Sequence, residues 1–373
     1  MRRKMLILNN QDVTDHLTMG DAIDALDRAY RQLVTKEAVC KPRTDVQIPT
    51  SQHGKVYQWS SVEGGSTDGY FAIRIKSDIV YEQDYNGART QEKYCVQPGT
   101  YCGLVLLTRV ETGEPLAFVN DGLMQLMRVG ADGGIGVKYL ARENAEVVGM
   151  LGSGGMSRSH MDAFMHVRPH LKRLQVYSPT KANRERFAAE MADKHGIEAV
   201  ACDEAEQVYR GADIFAALTD SAVSVIRGDL LEKGTHLVAP GTGDGIRDPK
   251  IIDKIDVYLR FGNATAPWGV TDVEDEYFTY AALPDVDTGF KRKTAGKRGH
   301  GAVFPRERTL TYADLMNGKT TGRTSPDQIS YSERGNLQGN QFWPLAAKLY
   351  EIVKARGAGR EIPTEWFLQD VRN

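Results

Sequence analysis

The chain has 373 residues, more than a single hydrophobic core commonly serves, so two domains are expected. Its 47 Lys and Arg are interspersed with 49 Asp and Glu, which excludes the basic footprint of a nucleic-acid binder. No apolar run approaches the roughly 20 residues of a membrane helix, and the N-terminal MRRKMLILNN carries too short an apolar stretch for a signal sequence, so a cytoplasmic protein is expected.

In residues 18–37, Ile23, Leu26, Tyr30 and Leu33 recur at helical spacing, and Thr18 with Asp21 has the form of a capping box. From Arg43 to Val119 the pattern shortens to β-type runs: VYQW, YFAIRIK and GLVLLTRV. The last is joined to PLAFV through Glu111-Thr112-Gly113-Glu114, which predicts a mainly antiparallel sheet with a hairpin. Residues 77–100, rich in Tyr, Gln, Asp and Gly, read as a long loop or lid. Within YFAIRIK, alternation puts Ile73 and Ile75 on one face and Arg74 and Lys76 on the other. One of these two cations would face a cleft, while on pattern alone both read as solvated, and Arg43 precedes the strand region.

Beyond Gly122 the rhythm changes. A helix over 123–142 is followed by strand AEVVGML, a glycine turn, a helix to about residue 167, strand LQVYS, a helix over 181–194, strand IEAVA, a helix over 204–210, and strands DIFAAL and THLVAP. Such alternation predicts a parallel sheet covered on both faces, a doubly wound α/β fold. IDVYLRF continues it, residues 262–305 give no assignable pattern, and a strand near 329–330 and a helix over 342–356 close the chain.

The turn Gly152-Ser153-Gly154-Gly155-Met156 follows a predicted strand and opens a helix. A pyrophosphate needs backbone N–H groups, close approach and the positive end of a helix, all of which this segment offers. At the end of the second strand, where an acid would bind the ribose of NAD, stand Ser178, Thr180, Lys181 and Arg184; hydroxyls and cations there favour NADP over NAD, while Lys181 and Arg184 also fit the exposed face of the next helix. Thr219, after DIFAAL, completes the cofactor-side set. Arg128 lies in a helix with four glycines, Gly130, Gly133, Gly134 and Gly136. Each costs about 1 kcal/mol, so close packing or ligand approach should compensate. Asp244 sits in GTGDGIRD beyond strand HLVAP, where a turn-favoured Asp and a catalytic one are equally consistent with the residues. His160, His166 and His170 do not share one helix face, so no metal site is expected, and four cysteines without CxxC spacing read as reduced thiols.

Taken together, LTMGDAIDALDRAY, GLVLLTRVETGEPLAFVN, MRVGADGGIGVKYLAR, the glycine turn, VYSPTKANRERFA and GRTSPDQIS resemble, in order, the landmarks of the ornithine cyclodeaminase/mu-crystallin family. The resemblance implies a Rossmann-type dinucleotide domain, residues 123–325, inserted in an α+β substrate and dimerisation domain, residues 1–122 and 326–373. It implies that Arg43, Lys76 and Arg128 form one clamp for a substrate carboxylate and that Asp244, with Asp248 as the alternative, positions an amine or water. Gln58 stands where cyclodeaminases carry a glutamate near a distal amine, which weakens the case for ornithine. The implied activity is hydride transfer between NAD(P) and the α-carbon of an amino or imino acid, by a homodimer. A cyclodeaminase using bound NAD and a non-catalytic NADPH-binding protein are the alternatives. The segments 77–100 and 262–305 make the chain longer than typical members.

Overall fold

A computed structural model of the chain describes residues 3–85, 88–219, 221, 225–240, 249–262, 276–282, 296–298, 304, 308–333, 335 and 337–371. Strand β1 (Lys4–Leu8) buries Met5, Leu6 and Leu8 and is followed by α1 (Asn10–His16) and α2 (Met19–Val34). Helix α2 starts where the sequence predicts: Asp21 N–H donates to the Thr18 hydroxyl, and Thr18 N–H donates to the Asp21 carboxylate. Its Ile23, Leu26 and Tyr30 are buried.

Strands β2 (Ala38–Cys40), β3 (Thr44–Pro49), β4 (Lys55–Ser66), β5 (Tyr70–Tyr85), β6 (Ala88–Tyr94), β7 (Gly103–Arg109) and β8 (Pro115–Asn120) build the expected, mainly antiparallel sheet. The loop expected over 77–100 is largely a hairpin instead, because β5 runs on past Lys76 and pairs with β6. Its polar composition hides the cross-strand contacts that hold it. Tyr81 and Tyr94 meet edge to face at 5.9 Å, Lys55 lies over both rings, and Val56 packs on Val80. Farther along the hairpin, Thr90 makes an isolated antiparallel bridge with Ser221.

Helix α3 (Gly122–Leu140) leads into the second half. Its glycines serve close packing. A Cβ on Gly130 would lie 2.5 Å from the Ser159 carbonyl oxygen, and one on Gly134 2.9 Å from the Ala163 methyl. The C-terminal carbonyls of α3 are satisfied by two arginines: Arg168 donates to those of Val137, Lys138 and Ala141, and Arg323 of GRTSPDQIS donates to that of Leu140 and to the Ser330 hydroxyl.

Next come β9 (Val147–Leu151), α4 (Gly155–Val167), β10 (Arg173–Tyr177), α5 (Lys181–His195), β11 (Glu198–Ala201), β12 (Ile214–Ala217), β13 (His236–Val238), α6 (Pro249–Ile252) and β14 (Val257–Arg260). The helix expected over 204–210 is a short 3-10 turn, Ala205–Tyr209. The chain continues through β15 (Glu276–Ala282), β16 (Gly296–Arg298), β17 (Thr309–Thr311), α7 (Tyr312–Met316), β18 (Ser330–Glu333), α8 (Gln338–Ala355) and β19 (Arg360–Pro363). One sheet has the order β11-β10-β9-β12-β13-β18-β14-β17, every pairing parallel, and begins with the doubly wound arrangement around β9. The other runs β16-β15-β3-β4-β5-β7-β8-β1-β19.

Two strands cross the division expected from the sequence: β15, from the unassigned stretch, joins β3 of the first sheet, and β18 enters the parallel sheet between β13 and β14. Helices α2 and α8 share one core with the first sheet, in which Leu26 and Tyr30 join Val62, Ala72, Val105, Phe342, Trp343, Leu345 and Leu349. Among the described residues no helix is long and apolar enough to cross a membrane.

Candidate active site

At the carboxyl end of β9, Gly152 takes φ +108°, a backbone conformation that side chains disfavour, and a Cβ there would also overlap the Leu218 carbonyl oxygen. Gly154, extended, is the residue before α4; a Cβ on it would meet nothing within 4 Å. No side chain caps this helix and no acid lies in its first turn. The buried Ser157 hydroxyl one turn in has no hydrogen-bond partner. Open space, uncapped N–H groups and an orphan hydroxyl at a helix N-terminus fit a pyrophosphate. Met156 contributes its carbonyl, which accepts from Ser159 and from His160 Nδ1–H at 2.7 Å, so His160 is a packing residue. Arg158, which the sequence did not single out, braces the turn by donating to the Ser153 carbonyl and to Glu190.

The Ser178 hydroxyl lies 2.9 Å from that of Ser153, joining the ends of β9 and β10. Arg184 is buried, with its guanidinium over the Tyr177 ring; it donates to the Ser178 carbonyl at 3.1 Å and to Asp203 at 3.2 Å. Thr180 precedes α5 with its side chain uninvolved in capping, and Lys181 is exposed, 3.7 Å from Glu185. Thr219, half-buried beyond β12, accepts from Ser221 N–H. The Asp203 partner of Arg184 comes from beyond β11 and was invisible to local reading.

On the other sheet, register gathers what the sequence scatters. Asp45, Ser60, Lys76 and Gly103 stand side by side across β3, β4, β5 and β7, and Gln47, Gln58 and Asp78 form the next row. Arg43 donates to Asp45 and to the Ser60 hydroxyl, each at 2.8 Å. Lys76 pairs with Asp78 at 2.6 Å and lies near the Tyr101 ring. Burial, more than it is offset by Asp78, pushes the Lys76 ammonium down to about 8, helped by the charges of Lys93 and Arg74. Gln58 accepts from Gln47 at 2.8 Å, a buried amide pair in place of a charge.

Arg74, placed by alternation on the face of Lys76 but not selected from the sequence, forms a buried ion pair with Asp121, with Nε at 2.6 Å. Desolvation weakens its hold on its proton while Asp121 opposes that loss. Gly103 makes the pair possible, since a Cβ there would overlap the Asp121 carboxylate. The guanidinium groups of Arg74 and Arg128 both lie over the Phe342 ring, at 5.1 and 5.2 Å. Arg128 further donates to the side-chain oxygens of Gln125, at 3.0 Å, and of Gln341, at 2.5 Å. Phe342 and Gln341 arrive on α8, more than two hundred residues away in sequence, and no local signal marks them. Arg43, Lys76 and Gln58 thus share one sheet face, with Arg128 joined to it through Phe342 and Arg74. Asp244 and Asp248 lie outside the described residues. None of the four cysteines forms a disulfide among the described residues.

Comparison with known proteins agrees with this architecture. A curated Δ1-pyrroline-2-carboxylate reductase of Bacillus cereus is 24% identical over 238 residues, covering 64% of this chain and 68% of the relative. The structure of Thermococcus litoralis Δ1-pyrroline-2-carboxylate reductase in complex with NADH and L-proline superposes with a TM-score of 0.73 at 22% identity, covering 96% of this chain and all of that one. An archaeal alanine dehydrogenase dimer with bound NAD gives a TM-score of 0.71 at 21% identity, over 96% and 99% of the two chains. The family model described as ornithine cyclodeaminase/mu-crystallin matches residues 3–335, and the chain belongs to that family.

Proposed function

We propose that the chain is an NAD(P)-dependent oxidoreductase that reduces the C=N bond of an α-imino acid to the amino acid, with cyclic imines such as Δ1-pyrroline-2-carboxylate as the favoured substrate class. What supports this reading is that Arg43 and Lys76 share one sheet face, to which Arg74 and the Phe342 ring join Arg128, in a chain similar to such reductases. Bound nicotinamide supplies the hydride. The protein's part is to hold the carboxylate, so that the α-carbon is oriented, and to deliver a proton to nitrogen as the C=N bond becomes C–N. Lys76, close to neutrality in its proton affinity, is suited to that delivery.

NADP is the preferred cofactor in this reading. Ser178 leaves the end of β10 without the acid that would repel a 2′-phosphate, and Lys181 and Arg184 supply positive charge nearby. A homodimer is part of the proposal. Phe71, Ile73 and Ile75 of β5 line up with Leu104 and Leu106 of β7, Phe118 of β8 and Ile7 of β1 on the face opposite the helices, and Phe71, Leu104 and Ile7 are exposed there.

The test is reduced-nicotinamide oxidation with Δ1-pyrroline-2-carboxylate and, separately, with 2-oxo acids plus ammonium. Turnover faster with NADPH than NADH is expected. Absence of oxidation with every imine, alongside ammonia release from ornithine without net cofactor change, would replace the reductase reading with a cyclodeaminase one.

A further inference from the structure

Three buried groups line up behind Arg128. Gln341, wholly buried on α8, donates through Nε2 to the Asp132 carboxylate at 3.1 Å and to the Tyr30 hydroxyl at 2.6 Å. Tyr30 itself donates to the same Asp132 oxygen at 2.5 Å. Asp132 accepts only, so its position settles which end of the amide faces it: the nitrogen turns to the acid and the carbonyl Oε1 is left to receive Arg128 Nη1. Asp132 and Arg128 sit one turn apart on α3, Tyr30 on α2 and Gln341 on α8, so three helices fix one oxygen.

Other cations of the site rest on carboxylates. Arg43 is held by Asp45, Lys76 by Asp78 and Arg74 by Asp121, each a full negative charge. A carboxylate in the place of Gln341 would sit against Asp132 and would cancel charge on Arg128; an amide supplies the same hydrogen bond without doing so.

We infer that Gln341 is the positioning residue for Arg128, holding the guanidinium in its binding orientation through a neutral oxygen whose direction is set by Asp132 and Tyr30. The inference rests on the proposed role of Arg128 as a ligand of the substrate carboxylate. Gln341 is wholly buried and acts through Arg128.

Three proteins, each assayed as the full chain with Δ1-pyrroline-2-carboxylate, separate the possibilities. Arg128→Ala tests the underlying reading. Gln341→Met, close in volume but with no amide, tests the orientation. Gln341→Glu combined with Asp132→Asn exchanges acid and amide, keeping the hydrogen bonds while moving the negative charge onto Arg128. The inference expects KM raised about tenfold or more in Gln341→Met, kcat and the Kd for NADPH each within about threefold of the parent, and KM still raised in the exchanged protein. Raised KM in Arg128→Ala but parental KM in Gln341→Met would overturn the inference and leave the reading standing. Parental KM in Arg128→Ala would overturn both. Should Gln341→Met not fold, the exchanged protein decides: restoration of the parental KM would make Gln341 a structural residue only.

Discussion

Replacing Asp78 by Asn leaves Lys76 in a buried setting with its counter-charge gone. The ammonium is held near 8 because burial, Lys93 and Arg74 push it down while Asp78 at 2.6 Å pulls it up. A charge-assisted hydrogen bond of this kind contributes about 1.5–3 kcal/mol, and each pH unit corresponds to about 1.4 kcal/mol. Loss of Asp78 should therefore lower the Lys76 proton affinity by about 1–2 pH units, to roughly 6–7. In the parent, about nine-tenths of the lysine is protonated at pH 7; in Asp78→Asn half or less would be. If the reaction needs the ammonium, kcat/KM falls on the alkaline side through pH 8 in the parent and through the lower value in the variant. The assay is kcat/KM for Δ1-pyrroline-2-carboxylate across the neutral and alkaline range. Ionisations of the substrate are common to both proteins and drop out of the difference. An alkaline limb that stays put, or moves upward, refutes the assignment of that limb to Lys76.

Further outcomes follow from the same geometry. His236 is fully buried and its imidazole is pushed down to about 3, chiefly by burial and then by Arg323 and Arg168. Its folded-state affinity for a proton is below the unfolded 6.5, so its contribution is intact above pH 6.5 and is lost as the pH falls from there towards 3. Urea unfolding should show the parent losing about 2 kcal/mol more than His236→Gln between pH 6.5 and 5. Arg74→Leu strands the buried Asp121 and should cost about 3–5 kcal/mol of stability, while Arg74→Leu with Asp121→Leu should recover most of it; equal losses in the single and double variants would contradict the ion-pair account. Gly152→Ala meets both the positive φ and the Leu218 carbonyl, so NADPH binding, followed by fluorescence, should weaken at least tenfold; unchanged binding would remove that turn from the cofactor site.

What could be read from the sequence was local. The glycine turn announced itself through its strand–turn–helix context, and Thr18 with Asp21 through its spacing. Arg74 was already on the right face by alternation, but its importance depends on Asp121 and on Phe342, neither of which lies near it in sequence. The glycines of α3 signalled close approach without saying to what; the answer is α4 for Gly130, Gly133 and Gly134, and Ser332 of β18 for Gly136. The β5–β6 hairpin has no clear signature in sequence because Glu, Gln and Asp stand between its tyrosines, and only pairing shows that Tyr81 and Tyr94 meet edge to face across it. Strand β15 gave no pattern because its place is set by β3, far away in sequence.

Helix α8 bears on how the protein is made. It supplies Trp343, Leu345, Leu349 and Val353 to the core of the first sheet, whose strands β1 to β8 are complete by residue 120. On the ribosome, those strands emerge long before residues 338–355 exist, and their inner apolar face waits uncovered while the parallel sheet is synthesised. The parallel sheet in turn lacks a central strand until β18 appears just ahead of α8. Neither half can close early, and a nascent chain stalled before residue 330 would expose both unfinished surfaces to chaperones at once.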